Sequence, residues 1–160
     1  MRHGLRLAAA GVGLALLAAC GGDDKAGTGF LDVGDLKQPP TPGHFTGPAE
    51  RLTARLGVRD NGCVTVVVRG VERMPIWPEG TDVTPRSGGD YVVTLPGGTR
   101  LSTSGADGSD TFSADGVLDG GGDFTSEDGD PPGKVASFLA FCGVDAAPVA
   151  FRDAGTFSVG

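Results

Sequence analysis

The chain has 160 residues, with 13 Lys and Arg against 20 Asp and Glu, a net charge of −7. That balance argues against a nucleic-acid binder, which needs a basic stripe to neutralise phosphates. Its 29 glycines and 11 prolines make up a quarter of all residues, which disfavours a helical bundle and favours short strands, turns and linkers.

The first six residues carry Arg2 and Arg6, and Leu7 to Ala19 is an apolar run of 13 residues without a charge. A membrane-spanning helix needs about 20 apolar residues, so this run fits the apolar core of a signal peptide instead. The run ends in Leu17-Ala18-Ala19-Cys20, followed by Gly21-Gly22. This resembles the lipobox of bacterial lipoproteins. The resemblance implies cleavage between Ala19 and Cys20 and a lipid on the Cys20 sulfur. Residues 1–19 are then removed, and the remainder is held at the outer face of the cytoplasmic membrane. Two or three acyl chains anchor stably, because each buried methylene contributes about 0.8 kcal/mol. An ordinary secretory cleavage site with a spare thiol is the plainer alternative. Loss of Arg2 and Arg6 takes the net charge from −7 to −9.

Residues 20–48 read as a flexible tether. They contain Gly21-Gly22-Asp23-Asp24, Gly27-Thr28-Gly29 and Gln38-Pro39-Pro40-Thr41-Pro42-Gly43. Gly and Asp favour solvated coil, and the prolines favour extended chain. Phe30, Leu31, Val33 and Leu36 interrupt the polar run, which leaves two readings open: docking on the domain, or a short strand.

The expected β domain spans residues 49–160. Leu52, Ala54, Leu56 and Val58 alternate with polar residues, as in a half-buried strand. Asn61-Gly62 is a turn signal, and Cys63 to Arg69 is apolar on both faces, as in a central strand. Asp90–Leu95 and Thr99–Thr103 are further strands, with short candidates at 111–114, 116–118 and 148–152. Residues 134–141 are ambiguous between helix and strand, as apolar runs this short are. Five or six short strands separated by turns indicate a small all-β sandwich or barrel.

With Cys20 acylated, Cys63 and Cys142 remain. An even pair in an exported chain most simply forms a disulfide. The rival reading is two free or metal-binding thiols, and the lack of Cys-x-x-Cys or a nearby histidine argues against metal.

Gly62-Cys63, Trp77-Pro78-Glu79-Gly80, Asp115-Gly116-Val117, Gly120-Gly121-Gly122 and Cys142 together resemble the pattern of a group of uncharacterised actinobacterial lipoproteins and secreted proteins. The match runs from Arg51 to Phe151. The resemblance implies a small five- or six-stranded OB-like barrel and no assigned activity. The acidic stretches 105–110 and 127–132 depart from the pattern.

Chemistry-bearing residues are sparse. The one histidine of the mature chain, His44, falls in the expected tether, whereas a general base must be held on a rigid frame. Catalytic residues are therefore expected to be none, and cofactors and metal none. Paired carboxylates leave a hydrolase as a minor alternative. Asp107, Asp110, Asp115, Asp119, Asp123, Glu127, Asp128 and Asp130 form an acidic band without calcium-loop spacing, so a solvated surface is the default. Trp77 and Tyr91 are the candidate ligand contacts, since ring faces on a small barrel can stack on sugars. A lone tryptophan flanked by prolines is more often core. The expectation is an envelope lipoprotein serving as a binding module for another envelope protein or a cell-wall glycan. A spacer domain without a ligand is the alternative.

Overall fold

The computed structural model describes residues 29–37, 43–104, 109–120, 124 and 133–160. In chain order the strands are β1 (Leu31–Asp32), β2 (Glu50–Val58), β3 (Val64–Val68), β4 (Val71–Arg73), β5 (Pro75–Trp77), β6 (Asp82–Pro85), β7 (Tyr91–Thr94), β8 (Arg100–Ser102), β9 (Thr111–Leu118), β10 (Val149–Ala150) and β11 (Ser158–Val159). One helix, α1 (Lys134–Cys142), lies between β9 and β10.

The β2–β3 hairpin follows the alternation in its sequence. Leu56 pairs with Val66 and Ala54 with Val68, so Leu52, Ala54, Leu56, Val64, Val66 and Val68 share one buried face. In the connecting turn Gly62 takes φ 82°, and its N–H donates to the Arg59 carbonyl at 2.8 Å. A second, tighter hairpin joins β3 to β4 through Arg69 (φ 53°) and Gly70 (φ 77°). Two successive residues of positive φ match the right-handed twist of the flanking strands.

The strands form an open mixed sheet in the order β1-β5-β10-β9-β2-β3-β4, with β11 beside the start of β9. β1 and β10 both run parallel to β5, while β10 is antiparallel to β9. A separate antiparallel meander, β6-β7-β8, packs on one face of this sheet. The all-β class is as expected, and the five- or six-stranded OB-like barrel is corrected: among the described residues eleven strands form two sheets, and the large sheet is not closed. The physical reason is that β1, β5 and β10 are two or three residues long and are placed by long-range parallel pairing, so their position in the sheet has no local pattern even where a strand was expected, as at 148–152.

The packing has three layers. Between the two sheets lies an apolar core of Leu52, Leu56, Val66, Val83, Val93, Leu101 and the rings of Trp77, Phe112 and Phe151. On the other face, α1 and residues 29–37 and 43–47 cover Leu31, Phe45, Ile76, Val117, Val135 and Ala150. Adjacent residues of β5 and β10 serve opposite layers, as strand geometry requires: Trp77 and Val149 face the meander, Ile76 and Ala150 face the helix. Gly116 sits where β9 crosses the core. A Cβ there would come within 2.9 Å of both Leu52 Cδ1 and Phe151 Cε1.

The ambiguous segment 134–141 resolves as helix. It ends at Gly143 in the left-handed conformation (φ 63°), whose N–H donates to the Leu139 carbonyl at 3.0 Å. The expected tether is also corrected over its described parts. Leu31 is fully buried and pairs with Ile76, and Phe45 is 2% exposed. The interrupting apolar residues both dock and form a strand. Cys20 and its lipobox lie outside the described residues, as do Asp107, Asp123, Glu127, Asp128 and Asp130. Among the described residues no helix is long and apolar enough to cross a membrane.

Candidate functional site

Two polar clusters stand out, both on the helix side of the large sheet. The first surrounds the disulfide. Cys63 and Cys142 are bonded, with Cα atoms 5.8 Å apart, and pack with Met74, Phe138, Leu139 and Val144. The expected pairing is thus present. It joins the start of β3 to the end of α1 across 79 residues.

Arg59 reinforces this junction. Its Nη1 donates to the carbonyls of Cys142 and Gly143, both at 2.9 Å, where the helix presents unpaired carbonyls and a negative dipole end. Its Nε and Nη2 grip Glu72 at 3.2 and 2.8 Å, and the Thr65 hydroxyl donates to the same carboxylate at 2.9 Å. Asn61 Nδ2 donates to the Phe141 carbonyl at 3.1 Å. The Arg59 hydrogen bonds hold the Glu72 carboxyl below its ordinary value, helped by Thr65 and opposed by partial burial. Arg59 is correspondingly pushed up, chiefly by Glu72. An open groove of about 400 Å³ runs beside Arg59, Asp60 and Asn61.

The second cluster is built on His44. Its Nδ1 lies 3.0 Å from Asp119 Oδ2, and the Phe45 N–H donates to Asp119 Oδ1 at 3.0 Å. The Asp119 side chain is 1% exposed and that of His44 11%. Phe124 stacks on the imidazole with ring centroids 3.8 Å apart. Arg152 Nη2 donates to the Phe45 carbonyl at 3.1 Å. The expectation that His44 lacks a rigid frame is therefore overturned. Burial of Phe45 against Val117 and Ala150 draws the segment onto the sheet, and His44 follows.

An imidazole oriented through Nδ1 by a carboxylate leaves Nε2 as the nitrogen able to accept a proton or ligate. Catalysis also needs a nucleophile or substrate within reach of that nitrogen, and metal binding needs further ligands. Among the described residues no three His, Cys, Asp or Glu side chains converge as a metal site. What the geometry demonstrably does is fasten the segment 43–47 to the end of β9. Sequence reading missed this clasp; its one signal was the apolar Phe45 beside a histidine in an otherwise Pro- and Gly-rich stretch.

The described members of the acidic band do not form a band. Asp119 is in the clasp, Asp115 lies 3.3 Å from Arg51 Nη1, and Asp110 accepts the Ser102 N–H at 2.7 Å.

Trp77 is fully buried. Its ring lies 5.8 Å from Phe151, 6.2 Å from Phe112 and 6.3 Å from Phe157, so it plugs the interior between the sheets. Its Nε1–H has no hydrogen-bond partner among the described residues, a cost of about 1–3 kcal/mol that the aromatic packing offsets. Tyr91 is half-buried against the same core, with its backbone N–H donating to Thr103 Oγ1 at 2.8 Å. The structure thus puts Trp77 in the core rather than on a ligand-facing surface.

No family model, curated protein or solved structure matches this chain.

Proposed function

We propose that this chain is a lipid-anchored envelope protein whose β body is a binding module for another envelope protein. The observation that carries the anchoring is the apolar run ending in Leu17-Ala18-Ala19-Cys20. The Cys63–Cys142 bond supports export, since disulfides persist in oxidising compartments. The likeness to uncharacterised actinobacterial lipoproteins points the same way. Burial of Trp77 favours a protein partner over a glycan, because it removes one of the two rings on which the glycan reading rested and leaves only the half-buried Tyr91. The fastening role of His44 and Asp119 favours binding over hydrolysis, since both carboxylate oxygens of Asp119 are already engaged.

Cell fractionation and intact mass test the anchor. The wild type is expected in the membrane fraction with an acyl mass on Cys20, and Cys20→Ala in the soluble fraction. Retention of Cys20→Ala with the membrane would falsify it. Crosslinking in intact cells is expected to join the body to a defined envelope protein. Binding to arrayed cell-wall glycans without any protein crosslink would reverse the choice of partner.

A further inference from the structure

The docked N-terminal segment changes how far the body can stand from its anchor. A tether covering residues 20–48 would extend to about 100 Å at full stretch. Because Leu31 is buried beside Ile76, only residues 20–28 lie between the expected lipid and the fold, and they extend to about 30 Å at most. The place where that chain joins the body is equally specific. Gly29 runs against Phe138 of α1, so closely that a Cβ on Gly29 would overlap the ring. One turn further along α1 is Phe141, which is 61% exposed, above the 40–49% of Val58, Val71 and Val159. The helix carries no carboxylate, in a chain whose net charge is −7, and its Lys134 pairs with Asp35 at 2.8 Å.

From these observations we infer that the exposed side of α1, centred on Phe141, is a membrane-contact surface that lies in the interface of the bilayer holding the Cys20 lipid. This rests on the proposal that Cys20 is acylated. The nine-residue connection keeps the middle of α1, where Gly29 meets Phe138, within about 30 Å of the bilayer. An aromatic ring that is mostly exposed among the described residues, on a helix without carboxylates, is suited to the headgroup boundary. The meander lies on the opposite face of the large sheet, so the same geometry turns β6 and its exposed Thr84 away from the lipid.

The test uses the full-length acylated protein in phosphatidylcholine–phosphatidylglycerol vesicles whose acyl chains are brominated near the headgroup. Phe141→Trp and Thr84→Trp are compared with the wild type, whose buried Trp77 supplies the same background in all three. The tryptophan added at 141 is expected to lose about half of its emission to bromine, and that at 84 almost none. Intact mass of each sample establishes the acylation independently. An unmodified Cys20 overturns both readings. An acylated Cys20 with equal quenching at 141 and 84 overturns this inference alone.

Discussion

The disulfide junction and the His44 clasp do the same mechanical job by different physics. Each fastens a covering segment to the helix side of the large sheet: one holds the end of α1, the other holds residues 43–47. The junction combines a covalent bond with an ion pair that is about one-third exposed on each side. The clasp is almost wholly buried and relies on hydrogen bonds to a single carboxylate. Exposed ion pairs contribute little, whereas orphaning a buried polar group carries its full desolvation cost. The junction therefore owes its strength to redox state, and the clasp to the integrity of one side chain.

The largest expected effect separates the two by redox state. Opening the Cys63–Cys142 bond releases a loop of 79 residues, worth about 4–5 kcal/mol in the chain-entropy model. Cys63→Ser combined with Cys142→Ser should lower the urea midpoint of the protein by a corresponding amount. The reductant sensitivity of the wild type should vanish in the double variant. Equal midpoints for oxidised and reduced wild type would place the stability of the junction in its packing and hydrogen bonds instead.

Next in size is the clasp. Asp119→Ala leaves the Phe45 N–H and His44 Nδ1 without their acceptor and should cost about 2–3 kcal/mol. Amide exchange at Phe45 should accelerate more than exchange in β3, because the clasp holds the segment locally. Asp119→Asn keeps one carbonyl acceptor and should fall between. Unchanged exchange at Phe45 in Asp119→Ala would mean that burial of the Phe45 ring alone retains the segment.

The two locks also differ in how visible they are in the sequence. The cysteine pair follows from parity in an exported chain, and β2, β3 and β7 follow from alternation and turn residues. The clasp joins residues 75 apart, and its carboxylate sits in a run of Gly and Asp that reads as solvent loop. Its histidine sits among prolines and glycines that read as tether. Composition describes what a segment does when left alone, whereas Leu31 and Phe45 are ordered by a sheet assembled elsewhere in the chain. The same limit hid the parallel pairing of β5 with β10, although a strand was expected at 148–152. Trp77, ahead of Pro78, reads as β-like or as the start of a loop, and Pro75-Ile76-Trp77 becomes a fully buried strand because β1 and β10 pair on either side of it.

The smallest expected effect lies in the acid limb of stability. The Arg59 hydrogen bonds hold the Glu72 carboxyl below its ordinary 4.5 in the folded protein. A depressed folded value means that the unfolded chain binds the proton more readily as pH falls. The contribution of the pair is then complete above the ordinary carboxylate value and is lost as pH drops through the lower folded one. Glu72→Gln should remove that part of the slope while leaving the neutral-pH midpoint little changed, since the pair is partly exposed and screened by solvent. Raising salt should shrink the same difference between wild type and variant, as expected for a partly exposed ion pair. His44 and Asp119 are untouched by this substitution, so the variant also shows whether the junction loosens apart from the clasp: exchange at Gly143 in Glu72→Gln should already stand at neutral pH where the wild type arrives only in acid, with Phe45 unaffected. Simultaneous loosening at both positions would show that the two locks open as one cooperative unit.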